Sequence, residues 1–449
     1  MAWWRGKPAA LAAVVALTAA CATRTEQAAP SATIRSDTHD MMSSIADRYV
    51  SLVLALGVHD SDYVDAYYGA PEKRTEAQAL KLPLPQIRES AVSLLSALKA
   101  APPSGDELAT LRHQYLLRQV QSLISRVDML SGVKMSFDEE SQALYDAKAP
   151  RRGEDHFRPI LAELDRLMPG PGPLIARYTS FQDAFVIPKE KLDAVFTAAI
   201  DECRRRTIPH VGLPAGETFT VEYVTGKSWG AYNWYQGGFR SLIQVNTDLP
   251  IPIDRAIDLA CHEGYPGHHV YNALLEKDLV RERGWAEFTV YPLFSPQSLI
   301  AEGTANYGIE VAFPGDERLR FERERLYPLA GLDPARAAEY DRVRHLVDRL
   351  AYAGNEAARR YLEGTIDAAQ AAAWLEQYAL MPGDRARQRI RFFDQYRSYV
   401  INYNLGQDMV RAYIESRGGT PEHPEVRWRE FTRLLASPRL PGGLKSEPR

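Results

Sequence analysis

Hydrophobic positions recur with helical spacing over most of the chain. Ile45, Tyr49, Leu52, Val53 and Leu56 share one face of a helix expected from about Met41, and Ile87, Ala91, Leu94, Leu95 and Leu98 mark a second that ends at Pro102-Pro103. Ser104 and Glu107, three apart, have the spacing of a capping box ahead of the stripe Leu108, Leu111, Tyr115, Val120, Leu123 and Val127. A further helix stops before Pro169-Gly170-Pro171-Gly172-Pro173, and Pro188 opens one that runs through Leu192, Val195, Phe196 and Ile200 toward Cys203. The period then falls to two. Phe219, Val221 and Tyr223 alternate with polar residues, and the runs 231–236 and 240–246 flank Gly237-Gly238 like the arms of a β-hairpin. Helical spacing returns near Pro252, resumes over 298–312 after a loop carrying Trp285, Phe288, Tyr291 and Phe294, and continues beyond Pro334 to about Arg417. The expected fold is mainly α with one small β element at 217–247. An N-terminal helical region, 41–206, precedes a region, 207–449, that holds the β element, helices over 252–312 and C-terminal helices over 335–417. The tail from Pro438 onward is expected to be disordered.

Charge removes one class of partner. With 54 Lys and Arg against 58 Asp and Glu, formally −4, nothing in the balance suggests a nucleic-acid partner, which would favour a clustered basic face. The N-terminus adds a destination. Arg5 and Lys7 precede an apolar stretch, 9–20, too short to span a bilayer. Residues 1–21 therefore read as a signal peptide. Leu17-Thr18-Ala19-Ala20-Cys21 resembles a lipoprotein cleavage box, which would make Cys21 the lipidated first residue and tether the chain to a membrane. An ordinary secretory signal cut near Ala20 is the alternative. Residues 22–40 are polar and read as a flexible tether. Two other cysteines remain, Cys203 and Cys261. Two buried free thiols is the plainer reading; pairing in an oxidising periplasm is the alternative.

The candidate chemistry gathers at Cys261-His262-Glu263-Gly264-Tyr265-Pro266-Gly267-His268-His269. Neutral imidazoles suit Zn²⁺, and a carboxylate beside them suits a general base. In a straight HExxH helix the second His stands at i+4; here that position is Pro266, and the next histidines stand at i+6 and i+7. The i+7 position shares the face of His262 but lies about 10 Å along the axis. Pro266 and Gly267 permit a local bulge that would deliver His268 to the place of the missing ligand. His262 and His268 are thus the favoured pair, with His269 as the alternate. Glu263, turned about 100° off the ligand face, is the candidate general base.

The H-E-x-x-P-G-H-H pattern resembles the signature of a bacterial family filed as domain of unknown function 885, itself similar to helical zinc peptidases with an H-E-x-x-H…E site. Two downstream segments carry the same resemblance: Ala301-Glu302-Gly303-Thr304-Ala305-Asn306-Tyr307 and Asn402-Tyr403-Asn404-Leu405-Gly406-Gln407. Tyr271 departs from the family pattern, where Gln is common. The resemblance implies one Zn²⁺ per chain with Glu302 as third ligand and an open position for water, Glu310 being the second choice. It implies Tyr403 or Tyr307 as oxyanion donor, with Gln407 one turn beyond Tyr403. It also implies an edge strand, Arg240–Asn246, that holds the substrate backbone, which makes Arg240 and Asn246 candidate substrate-binding residues. Since Ala22 is not Asp, it implies the outer membrane, facing the periplasm. The expected activity is hydrolysis of peptides, perhaps short ones, by a carboxypeptidase or oligopeptidase. A zinc amidase acting on cell-wall amides and a lipoprotein binding module are the alternatives. The arginines 385, 387, 389 and 391 read as a solvated surface, with a carboxylate clamp as the sharper reading.

Overall fold

The computed structural model describes residues 32–101 and 105–444. The first helix, Ala32–Gly57, begins ahead of Met41, so residues 32–40 are helical rather than a tether. The signal segment, Cys21 and Ser104 lie outside the described residues. The long helix Glu107–Leu130 is capped by Asp106, whose carboxylate accepts the Ala109 N–H at 2.8 Å. Its stripe packs on Leu84–Ala100, where Ile87, Ala91, Leu94 and Leu98 are buried.

From Met42 on, the described residues form one compact unit. The two regions distinguished in the sequence share its core. β1 (Val64–Tyr67) pairs antiparallel with β5 (Val290–Pro292). Arg112 makes a buried two-point ion pair with Glu287 at 2.5 and 3.0 Å, and Tyr115 donates its hydroxyl to Gln297 at 2.6 Å. Cys203 and Cys261 form a disulfide, with Cα atoms 5.7 Å apart, that pins the helix Leu192–Thr207 to the histidine segment. The free-thiol reading is set aside by that proximity.

The β element is a three-stranded sheet of β2 (Thr218–Val224), β3 (Ala231–Gly237) and β4 (Arg240–Asn246), in the order β2-β4-β3. Gly237 and Gly238, at φ +73° and +63°, turn the expected hairpin. β2 adds to β4 in parallel, which makes β4 the central strand. Its backbone groups are committed on both sides, so it cannot be the edge strand expected over Arg240–Asn246; the edges are β2 and β3.

Helix Pro296–Ala312 is buried over nearly its whole surface and crosses Ile401–Glu415 at a glycine pair. A Cβ on Gly303 would lie 2.5 Å from the Gly406 carbonyl carbon and oxygen. Only glycine at both positions allows this approach, which gives the Glu302-Gly303 and Gly406-Gln407 pairs a packing reason. Residues 438–444 do not follow the expectation of a disordered tail either: Leu440, Pro441 and Leu444 are buried, and the Gly442 N–H donates to Asp146 at 3.0 Å; residues 445–449 lie outside the described residues. No helix among the described residues is long and apolar enough to cross a membrane.

Candidate metal centre

The helix Asp254–Leu259 widens into a π-turn over Ala260–Gly264, Tyr265 is extended, and helix resumes at His268–Leu274. The Gly267 N–H donates to the Cys261 carbonyl at 2.9 Å, and the Gly267 carbonyl accepts from Tyr271 at 2.9 Å. A Cβ on Gly267 would sit 1.9 Å from the His262 carbonyl oxygen, so the wide turn requires glycine. It carries His268 back onto His262, Nε2 to Nε2 3.1 Å. His269 turns the other way and is fully buried: its Nδ1 lies 2.9 Å from Ser241 Oγ and its Nε2 2.9 Å from Glu217. Tyr265 and Arg204 also bind Glu217, at 2.5 and 2.8 Å. His269 therefore joins the helix to β4 and to the residue that precedes β2, and faces away from His262.

Glu302 projects from Pro296–Ala312 onto the same point. Its Oε2 lies 3.2 Å from His262 Nε2 and 3.7 Å from His268 Nε2, yet it is buried without a hydrogen-bond partner among the described residues. Tyr399 donates its hydroxyl to Oε1 at 2.7 Å and so turns Oε2 toward the imidazoles. A tetrahedral set with bonds of about 2.0–2.1 Å has edges of about 3.3 Å. Separations of 3.1, 3.2 and 3.7 Å match such edges, and the donor set of two imidazoles and one carboxylate suits zinc. Asn306 Oδ1, 2.9 Å from His262 Nδ1, accepts its proton; the Asn306 amide donates to the Tyr403 carbonyl at 3.0 Å. This selects the tautomer in which the neutral imidazole keeps its lone pair on Nε2.

Glu263 is the other nearby carboxylate. Half-buried His262 and His268 and buried Glu263 offer ligand atoms within 4.8 Å of one another; the Glu302 oxygen stands 3.2 and 3.7 Å from the two imidazoles, which makes Glu302 the better-placed third member of the triplet, with Glu263 beside it. The electrostatics separate the two. Burial would raise the Glu302 carboxyl, but the attraction of the facing His262 and His268 imidazoles holds it well below the usual carboxylate range. Burial opposes charging of His262, and Glu302 with Glu263 nonetheless lifts it to about 9. At Glu263 burial wins, and the carboxyl is raised. Two buried carboxylates facing two imidazoles form a site that attracts positive charge.

The triplet lines a cavity of about 1520 Å³ together with Glu263, Tyr403, Tyr399 and Arg389. Gln407 also lines it and donates to Glu310 at 2.7 Å. Glu310 is engaged further by Arg411 and Arg427, so it is not a free second choice for the metal. Tyr307 is on the far side of its helix, where its hydroxyl accepts from Arg427 at 2.9 Å. Asn246 uses its amide to hold the Lys227 and Trp229 carbonyls at 3.1 and 2.9 Å, and Arg240 is exposed at the start of β4. Tyr307, Arg240 and Asn246 are thus not brought to the cavity. The edge strand that does line it is β3, through Ala231, Tyr232 and Asn233, and the Asn233 amide donates to the Glu263 carbonyl at 2.7 Å. The arginine run divides: Arg387 and Arg391 are exposed, Arg385 donates to the Pro250 carbonyl at 2.6 Å, and Arg389 lies over the rings of Phe392 and Tyr403 at 4.6 and 5.8 Å. Sequence reasoning missed Asp65, Tyr399 and Asn306. Tyr399 precedes Tyr403 by one helical turn, and Asn306 follows Glu302 by one; that spacing was a usable signal.

No family model matches the chain, and no curated protein matches its sequence. Among solved structures the chain is similar to a candidate lipoprotein from Colwellia psychrerythraea, at 16% identity over 83% of this chain and 71% of that one, with a TM-score of 0.51. It also aligns with metallocarboxypeptidase 1 of Trypanosoma cruzi at 14% identity, over 89% and 90% of the two chains, with a TM-score of 0.45. The likeness to the Colwellia protein is one of fold: a mainly helical chain with small sheets.

Proposed function

We propose that this chain is a zinc-dependent peptidase acting on short peptides, with His262, His268 and Glu302 holding one ion and Glu263 as general base. The observation that carries the reading is the convergence of two imidazole Nε2 atoms with a buried, unpartnered Glu302 oxygen at 3.1–3.7 Å. A zinc ion held there would supply Lewis-acid polarisation of the scissile carbonyl and of water. Glu263 would take a proton from the attacking water and return it to the leaving amine. Tyr403 would donate its hydroxyl to the developing oxyanion. The outer edge of β3 would pair with an extended substrate backbone. Arg389 has no carboxylate within ion-pair distance among the described residues, unlike Arg255, Arg318, Arg344, Arg411 and Arg427 in the same wall. It would bind the substrate carboxylate. Enclosure of the site among helices favours short peptides over folded proteins.

Cys21 would tether the enzyme to a membrane, and Ala22 in place of Asp would make that the outer membrane, facing the periplasm; the likeness to a candidate lipoprotein fits an envelope location. A second reading, an amidase of cell-wall fragments, is favoured by the ring row of Trp229, Tyr232 and Trp234, the first pair tilted with centroids 5.5 Å apart and the second stacked at 4.5 Å, aromatic faces that suit sugar rings. Membership of the domain of unknown function 885 family belongs to the same proposal. The test is Glu263→Gln assayed on a peptide library and on cell-wall fragments. It should keep zinc and fold and lose at least 10²–10⁴-fold in rate, the share that proton transfer supplies. The substrate class cleaved by wild type decides between the readings. Cleavage of neither class, or a variant as active as wild type, would leave the chain a binding module.

A further inference from the structure

Asp65 lies on β1, remote in sequence from every motif residue, yet it lines the cavity with His262, His268 and Glu302. Tyr232, on the edge strand β3, donates its hydroxyl to Asp65 Oδ1. The other aspartates of that cavity wall have arginine partners: Asp155 with Arg158, Asp258 with Arg318, Asp341 and Asp348 with Arg344, and Asp408 with Arg411. Among the described residues Asp65 has no Lys or Arg within ion-pair distance. Burial raises its carboxyl to about 6, against the hydrogen bond from Tyr232 and the charge of His268. A half-buried carboxylate without a cation is costly unless a ligand brings one. The rings of Tyr232, Tyr291 and Tyr396 line the same cavity, and aromatic faces attract ammonium groups.

We propose that Asp65, oriented by Tyr232, is the subsite for the α-ammonium group of the substrate, so that the enzyme requires a free N-terminus. This rests on the peptidase reading. A primary ammonium could also come from a lysine side chain. The α-amino source is favoured because Tyr232 belongs to the strand that would carry the substrate backbone, and the α-ammonium is a group of that backbone whereas a lysine ammonium stands off it. With Arg389 on the carboxylate, the cavity would read both ends of a short zwitterion.

The test is calorimetric binding to zinc-loaded Glu263→Gln protein, which separates recognition from turnover. The probes are trialanine, N-acetyl-trialanine and N-acetyl-Ala-Lys-Ala. Trialanine should bind at least tenfold more tightly than either acetylated peptide, and Asp65→Asn in the same background should bind trialanine and N-acetyl-trialanine alike. Tyr232→Phe, which keeps the ring, should lose part of the preference and serves if Asp65→Asn fails to fold. Equal binding of the free and acetylated peptides, a preference that survives Asp65→Asn, or binding of none of the three overturns the inference. Tight binding of N-acetyl-Ala-Lys-Ala would overturn the α-amino assignment. If the preference is found but wild type cleaves no peptide, the subsite stands and the peptidase reading falls.

Discussion

Replacing Gly303 by alanine tests whether the glycine crossing positions the metal ligand beside it. The added Cβ would meet the Gly406 carbonyl carbon and oxygen at 2.5 Å and its Cα at 2.9 Å, all backbone atoms that cannot rotate aside. The helices Pro296–Ala312 and Ile401–Glu415 would have to part by about 1 Å to restore ordinary contact. Overpacking of this kind costs about 1–3 kcal/mol, while alanine regains about 1 kcal/mol of helix propensity. With the clash against backbone, the net loss should be roughly 1–2 kcal/mol. Gly354 is the control. It is helical, with nothing within 4 Å of its added Cβ, so Gly354→Ala should be neutral or stabilise by up to about 1 kcal/mol. Urea unfolding midpoints in chelator, which removes metal linkage, would give the ordering Gly354→Ala at or above wild type and Gly303→Ala below. Gly303→Ala should also weaken zinc binding, since the displaced helix carries Glu302. A Gly303→Ala protein as stable as wild type and as tight for zinc would refute the reasoning.

Three further outcomes are expected. His268→Ala should lose most zinc while remaining folded, whereas His269→Ala should keep zinc stoichiometry but lose roughly 1–3 kcal/mol of stability, because Ser241 Oγ is left buried and unpaired and Glu217 keeps only Tyr265 and Arg204; zinc loss from folded His269→Ala alone would reverse the ligand assignment. Burial opposes the ionisation of Asp341, but His345 and Arg344 outweigh it and lower its carboxyl to about 2. That stability is present above the unfolded value near 4 and lost as pH falls toward 2, at most about 2 kcal/mol, so metal-free Asp341→Asn should show a flatter loss of unfolding midpoint between pH 4 and 2 than wild type. Cys21→Ser should move the protein from the membrane fraction to the soluble periplasm, and unchanged fractionation would remove the lipid anchor from the account.

Much of the site was legible because its signals are local. Pro266 and Gly267 announced a break that His268 could use, and small residues around Glu302 announced a close helix crossing. The Gly237-Gly238 hairpin was legible for the same reason. Pairings distant in sequence were not. β2 joins β4 in parallel, and nothing in the alternation of 218–224 says which strand it will meet; that unseen partner makes β4 central and moves the edge to β3. Asp65 reaches the cavity through pairing of β1 with β5, more than two hundred residues away. Tyr307 could have been discounted earlier, since five residues after Glu302 is about 140° around the helix. The disulfide depended on the approach of two helices that no spacing reveals.

The central claim is that His262, His268 and Glu302 hold one catalytic zinc ion. Metal analysis with zinc X-ray absorption on the purified soluble chain addresses it directly. The account predicts one zinc per chain in a shell of nitrogen and oxygen only, with two imidazoles, and loss of that signal in His262→Ala. Protein folded without zinc after reconstitution, a sulfur ligand, or an unchanged shell in His262→Ala would contradict it.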